Sequence, residues 1–248
     1  MQEGRHYANA PIVDAVIDMR VQFSAEPPSV EALEKFAKNY SDRFQTLTHI
    51  QTVRIDVGVG ADGEVSETQK PTNVKGVRLE GTERILILKP TGFTYGHRPP
   101  YSRWELFKRE AQALWNDYCN IFQPESVSRH AVRYINRIVV PEAQVEADKY
   151  FSLHPNIPIG IPEAVVGMLM QLRFEFSDAP GVGCIVNLGL TDAAQDEGLA
   201  FLLDIDVFGT INVAPRRSDL WERLEFLRGV KNRMFEASIT DKARELFK

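Results

Sequence analysis

The stretch that most constrains the fold is residues 126–141, SVSRHAVRYINRIVVP, at the centre of the chain. It is rich in β-branched and aromatic residues, which fit the pleated surface of a strand. Its arginines recur at a spacing of four, so a strand with a period of two places them on one face. We therefore expect a long strand that carries arginines on one face and mainly apolar side chains on the other.

Alternation of the same kind recurs along the chain and predicts further strands. It is clean over residues 11–24, where apolar side chains occupy every second position. Three later runs are separated by Gly81-Thr82 and Pro90-Thr91-Gly92, which favours a meander of hairpins. The further strand candidates are residues 50–59, 74–81, 84–90, 92–97, 165–177, 182–190 and 199–208.

Apolar periodicity of the helical kind predicts four helices. The first starts at an N-cap at Ser29 and runs for about four turns. The second starts at Ser102, which forms a capping box with Glu105. The third starts at a cap at Ser218, and a short closing helix follows Thr240. Tryptophans lie in the apolar stripes of the second and third helices, and such stripes are typical of core packing.

The order of these elements predicts the fold class. Helices follow runs of strands and do not alternate with single strands, which favours an α+β fold with antiparallel sheets. Strands leading to a Trp-bearing helix occur twice, so we predict two related halves, each a mainly antiparallel sheet covered by a Trp-bearing helix. The halves are placed at residues 1–140 and 164–248, joined by a proline-rich seam at 141–163. This repetition suggests an internal duplication.

Composition and charge narrow the class of protein. A net charge of −5 argues against nucleic-acid binding driven by bulk electrostatics. No apolar run is long enough to span a bilayer, and the N-terminus lacks the apolar core of a secretory signal. Cys119 and Cys184 match no metal or redox spacing, so we expect both to be reduced and buried. These features predict a cytoplasmic protein that does not associate with a membrane.

Motifs with a known chemistry are incomplete in this chain. GVGADG, at residues 58–63, has the spacing of a dinucleotide-binding turn, but a polar segment closed by Pro71 follows it where a helix is required. We predict a hairpin or loop there. The histidines form no i,i+4 or H-x-H pair, and no serine lies in G-x-S-x-G. Whether the chain is an enzyme, and with which cofactor, stays open.

The central strand is the first candidate for ligand binding. Arg129, Arg133 and Arg137 share a face, whereas Tyr134 and Asn136 lie on the other. A row of arginines can bind phosphates or carboxylates through bidentate contacts. It can equally form a cross-strand ladder with acidic residues of neighbouring strands. We take Arg133, Arg137, Asn136 and Tyr134 as the candidate ligand-binding residues, Asn136 because an asparagine inside an apolar face needs a partner.

Carboxylates form the second candidate site. Asp204 and Asp206 share a strand face about 7 Å apart, and Glu175 is placed where an adjacent strand would bring it near. Two or three carboxylates on a sheet can hold Mg²⁺ or divide the roles of acid and base. The other interpretation is a solvated strand face with alternating charges.

Four segments, in order along nearly the whole chain, resemble a known family. They are NAPIVDAVI at residues 9–17, PPYSRW at 99–104, RYINRI at 133–138 and NRMFEASITD at 232–241. The chain resembles a sporadically distributed family of uncharacterised bacterial proteins of similar length. The resemblance implies no catalytic residue or cofactor. The scattered distribution of the family implies horizontally exchanged loci, such as those of defence or toxin–antitoxin systems.

Two functions follow as expectations. The lack of a convergent catalytic set favours a partner-binding or accessory protein that binds another protein or a second copy of itself. Trp221, Phe235 and Ile239 are candidates to extend from the core into such an interface. The alternative is a Mg²⁺-dependent enzyme acting on a phosphorylated or nucleotide ligand, which requires the arginines and carboxylates to converge on one concave surface.

Overall fold

A single sheet of nine antiparallel strands is the framework of the part of the chain that the structure describes. The computed structural model describes residues 5–59, 65–101, 103–141, 147–156, 166–193 and 198–248, with side chains described outside 52–73. The strands are β1 (Ile12–Gln22), β2 (Thr46–Val59), β3 (Val65–Glu80), β4 (Arg84–Lys89), β5 (Gly92–His97), β6 (Ser126–Val140), β7 (Leu169–Glu175), β8 (Val182–Thr191) and β9 (Leu199–Gly209). The helices are α1 (Val30–Lys38), α2 (Trp104–Phe122), α3 (Ala147–Tyr150), α4 (Ser218–Ser238) and α5 (Asp241–Glu245). The strand order across the sheet is β2-β3-β4-β5-β1-β6-β9-β8-β7.

This topology corrects the predicted architecture of two halves that each form their own sheet. β6, the last strand of the first predicted half, pairs antiparallel with β9 of the second half, from His130 opposite Gly209 to Val140 opposite Leu199. Pairing satisfies backbone N–H and C=O groups that two separate sheets would leave at exposed edges. The prediction of two sheets, each covered by its own Trp-bearing helix, is therefore wrong, and the internal duplication that rested on it is not supported.

Alternation along each strand decides which face a side chain occupies. In β1, Ala15, Ile17 and Met19 are fully buried, whereas Asp14 and Asp18 lie on the opposite face. The same period places alternate side chains of β6 on the buried face, and its arginines lie on the other. We call the face without helices the open face. The two-faced central strand that the sequence predicts is confirmed.

The helices pack together on the buried face of the sheet. Phe107 of α2 stacks on Tyr95 of β5, with 5.5 Å between ring centroids. The indole Nε1 of Trp104 on α2 donates a hydrogen bond to Glu225 on α4 at 2.6 Å, so the two Trp-bearing helices lie side by side. The fold thus has two layers, because both helices cover one face of one sheet.

The helix boundaries agree with the sequence in part. The side chains of Ser29 and Thr240 cap α1 and α5 as predicted, each accepting a hydrogen bond from an amide in the first turn. α1 is shorter than predicted, because its C-cap falls at Asn39. Ser218 is the first residue of α4 and not its cap. Ser102, the predicted cap of α2, lies outside the described residues.

Two further predictions concern the chain as a whole. The single sheet joins strands from both sides of the predicted seam at 141–163, but residues 142–146 and 157–165 lie outside the described residues. The domain boundaries therefore stay a prediction. Residues 60–63 of the GVGADG segment also lie outside the described part. Among the helices that the structure describes, none has the length and apolarity to cross a membrane.

Candidate functional site

Arg129 and Arg133, two arginines of the open face, are paired with carboxylates from the strands beside them. Arg129 on β6 donates to Asp18 on β1 at 2.8 Å and to Asp206 on β9 at 2.6 Å. Its side chain is only 16% exposed, so both contacts are largely shielded from water. Thr94 on β5 donates to the second oxygen of Asp18 at 2.7 Å. One polar row therefore joins β5, β1, β6 and β9.

A second polar row lies beside the first. Arg133 donates two hydrogen bonds to Asp204, each of 2.7 Å, in the bidentate arrangement that suits a guanidinium and a carboxylate. Asn187 on β8 also donates to Asp204, at 3.0 Å, and accepts a hydrogen bond from Gln171 on β7 at 2.7 Å. Burial of Asp206 raises its pKa, and the nearby arginines oppose that shift. The positive charges of Arg129 and Arg133 are thus compensated within the sheet, as in a cross-strand ladder.

The four residues predicted to bind a ligand lie on opposite faces of β6. Arg133 and Arg137 are on the open face, whereas Tyr134 and Asn136 are on the buried face. Arg137 donates to the backbone carbonyl of Asp192 at 3.4 Å. Asn136 is 2% exposed and donates to the backbone carbonyl of Leu203 at 3.0 Å. One ligand cannot contact all four side chains, because the sheet separates the two pairs.

The carboxylates predicted to hold Mg²⁺ are not brought together. Asp204 and Asp206 share the open face of β9 as expected, but each is bound by an arginine. Glu175 lies on β7, which β8 separates from β9, so two strand spacings of about 5 Å intervene. Among the described residues, no group of three or more His, Cys, Asp and Glu side chains could hold a metal ion. Arg133 occupies both oxygens of Asp204, and Arg129 binds Asp206 through Oδ2.

A cavity of about 670 Å³ opens on the other side of β6, within the helical layer. Its volume lies in the range of small-molecule sites. Residues 5–12, the loop at 99–101, the first turn of α2 and the C-terminal half of α4 line it. Tyr134 and Asn136 contribute from the buried face of β6. The structure therefore places two of the four predicted ligand-binding residues in one cavity.

Lys231 on α4 is the most unusual side chain of this cavity. It is 8% exposed, although a lysine ammonium is strongly hydrated in water. Its Nζ lies 3.8 Å from the ring centroid of Tyr134, a cation–π contact. Within the described part of the chain, no hydrogen bond or ion pair to this ammonium is present. Burial, assisted by the Arg228 guanidinium and opposed by Glu236, lowers the pKa of Lys231 to about 7.

Two tyrosines lie beside Lys231. The hydroxyl groups of Tyr101 and Tyr134 are 2.6 Å apart, so one donates a hydrogen bond to the other. Burial raises the pKa of Tyr101 to about 12 and that of Tyr134 well above its usual range. Both hydroxyls therefore stay protonated at neutral pH, and the pair offers at least one O–H donor within the cavity that Lys231 lines.

The remaining charges around the cavity leave an excess of positive charge. Its lining includes the cations Arg5, Arg103, Arg228 and Lys231 but only the carboxylates Glu105 and Glu236. Glu236 is bound by Arg244 at 2.9 Å and by the Tyr7 hydroxyl at 2.8 Å. Arg228 pairs with Glu225 at 2.9 Å. Lys231 is thus a buried cation in a lining whose other buried charges have partners.

A smaller cavity of about 390 Å³ lies elsewhere in the helical layer and is bordered by His130, Arg223 and Phe226. Burial, assisted by Arg223 and Arg129, lowers the pKa of His130 to about 4. Its ring is confined by Gly209, where a Cβ atom would lie 2.5 Å from His130 Nε2. His130 is therefore a neutral, closely packed histidine at neutral pH.

Sequence reasoning missed Lys231, although one signal for it was present. The buried positions of α4 include Leu220, Leu224, Leu227 and Phe235, and Lys231 lies four residues after Leu227 and four before Phe235. A lysine in that position interrupts an apolar stripe. The predicted interface candidates Trp221, Phe235 and Ile239 lie instead in the core, each less than one-tenth exposed.

The chain was compared with known proteins. No protein-family model matches it, and no curated protein matches it significantly. The family resemblance therefore stays a prediction.

Proposed function

We propose that this chain is a binding protein whose ligand is a small organic anion held in the Lys231 cavity. The observation that carries the proposal is a buried ammonium without a counter-ion among the described residues. An unpaired buried charge costs several kcal/mol of desolvation, roughly, and that cost falls when a counter-ion binds beside it. A bound anion supplies this counter-ion.

The other groups of the cavity support an anionic ligand of small size. Arg103 and the first turn of α2 border the cavity, and the N-terminus of a helix carries a partial positive charge. Asn232 and the tyrosine pair provide neutral hydrogen-bonding groups, while Trp104 and Phe235 add apolar surface. This combination of mainly apolar walls with a few polar groups is typical of small-molecule sites.

The four segments that resemble the bacterial family all contribute to the Lys231 cavity. Each segment supplies residues to the cavity lining: Pro11 from the first, Tyr101 from the second, Tyr134 from the third and Phe235 from the fourth. The segments are far apart in the chain, so their convergence is a property of the fold. In this proposal the family shares a ligand-binding cavity, and the chain acts as an accessory protein whose contact with a partner depends on the ligand.

The Mg²⁺-dependent enzyme is the weaker alternative, and no observation favours it. It requires arginines that are free to bind phosphate and carboxylates that are free to bind metal. On the open face Arg129 and Arg133 bind Asp18, Asp204 and Asp206 directly.

A ligand screen tests the proposal. Thermal unfolding of the full chain is measured with acetate, pyruvate, succinate, inorganic phosphate and AMP, each at neutral pH. We expect one of the carboxylates to raise the melting temperature in a saturable manner, because a ligand that binds the folded state stabilises it by mass action. Selective stabilisation by phosphate or AMP would assign the cavity to phosphorylated ligands.

A matched pair of variants assigns the effect to the cavity. Lys231→Met removes the buried ammonium, and Lys242→Met removes another lysine that lies over a tyrosine ring, 4.4 Å from the centroid of Tyr150, outside the cavity. Lys231→Met should abolish the stabilisation by the anion, and Lys242→Met should preserve it. If no anion stabilises the wild-type protein, or if Lys231→Met responds as the wild type does, the proposed function is wrong.

A further inference from the structure

We propose that Lys231 forms a reversible imine with the carbonyl carbon of a small oxo acid bound in the cavity. This inference rests on the proposed function, since the oxo acid is the anionic ligand, and adds covalent chemistry to it. The class of ligand combines a carboxylate with an aldehyde or ketone group, as in glyoxylate and pyruvate.

The first requirement is an amine with a free electron pair. A lysine in water is almost fully protonated at neutral pH and does not attack carbonyl groups at a useful rate. Lys231 lies in a desolvated cavity next to the Arg228 guanidinium, two conditions that activate lysine nucleophiles. With its pKa near 7, a large fraction of the side chain is the neutral amine in the cell's pH range.

The second requirement is access of the ligand to the amine. Lys231 lines a cavity that is large enough for a molecule of a few non-hydrogen atoms and still has room for water. Among the described residues its ammonium has no carboxylate partner that the ligand would have to displace. The open-face cations differ in this respect, because Arg129 and Arg133 are already bound by aspartates.

The third requirement is transfer of protons during the reaction. The amine attacks the carbonyl carbon, and a C–N bond forms as the π bond of the carbonyl group breaks. The oxygen takes up a proton and the nitrogen releases one, which gives a carbinolamine. Its hydroxyl group then leaves as water after a second protonation, the nitrogen loses its remaining proton, and the C=N bond forms. The overall change consumes one amine and one carbonyl and releases one water. The hydroxyl groups of Tyr101 and Tyr134 line the same cavity as Lys231, and in this proposal they supply an O–H group for these transfers.

The fourth requirement is a contact for the carboxylate of the ligand. Arg103 and Arg5 line the same cavity and are the cations available for it, whereas Arg228 is paired with Glu225. A carboxylate bound by an arginine would hold the carbonyl group near the amine, and such positioning converts a bimolecular reaction into an effectively unimolecular one.

Reductive trapping tests the imine. The full chain is incubated with glyoxylate or pyruvate and cyanoborohydride, which adds hydride to the imine carbon and fixes it as a secondary amine. Intact mass should rise by the mass of the probe less one oxygen atom, and peptide mapping should locate the adduct on Lys231. We expect Lys231 to react on the order of tens of times faster than the exposed Lys149, because desolvation in the cavity activates the amine of Lys231.

A pH series and one variant distinguish imine formation at Lys231 from non-specific labelling of lysines. The rate of adduct formation should level off above a pH near 7, whereas an exposed lysine continues to gain reactivity up to its ordinary pKa above 10. Tyr134→Phe keeps the ring under the amine but removes the hydroxyl. It should slow adduct formation about tenfold.

The outcomes distinguish this inference from the proposed function. An adduct confined to Lys231 supports both. If carboxylates stabilise the protein but label is absent from Lys231, or is spread over the exposed lysines, the imine is refuted and the binding cavity stands. If no anion of the screen stabilises the protein and the oxo acids leave Lys231 unlabelled, both proposals fail. Because trapping is done on the wild-type chain, none of these outcomes depends on the folding of a variant.

Discussion

The two sides of β6 show two ways in which this protein holds positive charge. On the open face, Arg129 and Arg133 bind aspartates of β1 and β9 through hydrogen bonds of 2.6–2.8 Å. On the buried face, Lys231 lies over Tyr134 and, among the described residues, has neither a hydrogen bond nor an ion pair. The charges of these arginines are neutralised by aspartates of neighbouring strands, so their function is structural. The charge of the lysine is not neutralised among the described residues, and a bound anion would lower the desolvation cost of that charge.

Removal of a paired arginine should have the largest effect on stability. Arg129→Met leaves Asp18 and Asp206 facing each other without a cation, and both are mostly shielded from water. We expect a loss of about 3 kcal/mol in the free energy of unfolding, as for other buried ion pairs that lose one partner. Urea unfolding at neutral pH measures it. Arg173→Met, which removes an exposed pair with Glu175, is the control and should change stability by less than about 0.5 kcal/mol. Equal effects of the two variants would show that the open-face ladder is not structural.

His130 is a second buried base, and it packs in the helical layer away from the Lys231 cavity. The dependence of stability on pH should report its protonation. The pKa of His130 is lowered from 6.5 in the unfolded chain to about 4 in the fold. As the pH falls, the histidine is protonated in the unfolded state before it is protonated in the folded state. The free energy of unfolding is therefore unaffected by His130 above pH 6.5 and decreases as the pH falls from 6.5 towards 4. The shift corresponds to about 3 kcal/mol.

Urea unfolding of the wild type and of His130→Gln over this pH range separates the contribution of His130 to the free energy of unfolding from that of the carboxylates. The difference between the two proteins should shrink or reverse as the pH falls, because only the wild type has the histidine to protonate. A constant difference at every pH would contradict the prediction.

The unpaired lysine should respond in the opposite direction to the paired arginine. Lys231→Met keeps an apolar chain over Tyr134 and removes the buried charge, so we expect a gain of about 2 kcal/mol in the free energy of unfolding at neutral pH. The pKa of Lys231 is lowered from 10.5 to about 7, so its contribution to stability is lost as pH falls through this window. The gain from Lys231→Met should therefore vanish as the pH is raised towards 10.5. A variant that is less stable than the wild type at neutral pH would mean that the lysine is a structural residue.

The smallest expected effect concerns the tyrosine pair of the cavity. Tyr134→Phe removes the hydroxyl group that lies 2.6 Å from that of Tyr101 and keeps the ring under Lys231. Loss of one buried hydrogen bond should lower the free energy of unfolding by about 1 kcal/mol. The reverse variant, Tyr101→Phe, is the matched control and should cost a similar amount. A loss several times larger in either variant would indicate that the pair supports the core more than the cavity.

The faces of the strands were predictable because they depend on local geometry. A strand turns successive side chains to opposite sides, so the positions of Arg133 and Tyr134 on opposite faces follow from their being neighbours in sequence. The caps at Ser29 and Thr240 are local for the same reason, since each side chain bonds an amide three residues ahead. The length of α1 was not predictable from its apolar positions, because Tyr40 and Phe44 pack against the core from the turn that follows the helix.

The candidate site was only half predictable. Tyr134 and Asn136 were singled out by their position in an apolar row, and both line the cavity. Arg133 and Arg137 were singled out with them, but whether an arginine on a sheet binds a ligand or an aspartate depends on which strands become its neighbours. Lys231 interrupts the apolar stripe of α4, a signal that becomes informative only once Tyr134 is known to lie beneath it.

The sequence by itself determined the approximate places of the described strands, most of the helices and the two-faced character of β6, because a period of two or 3.6 residues is recognisable in a short stretch of chain. The strand ends were less predictable, since β3 begins at Val65 and the predicted strand began at residue 74. Tertiary structure alone decided that β1 pairs with β6 in one sheet, that Asp204 and Asp206 bind the arginines, and that four distant segments enclose Lys231. The pairing of one strand edge depends on all the other strands that could pair with it. Whether a charged side chain is left without a partner therefore depends on the whole fold.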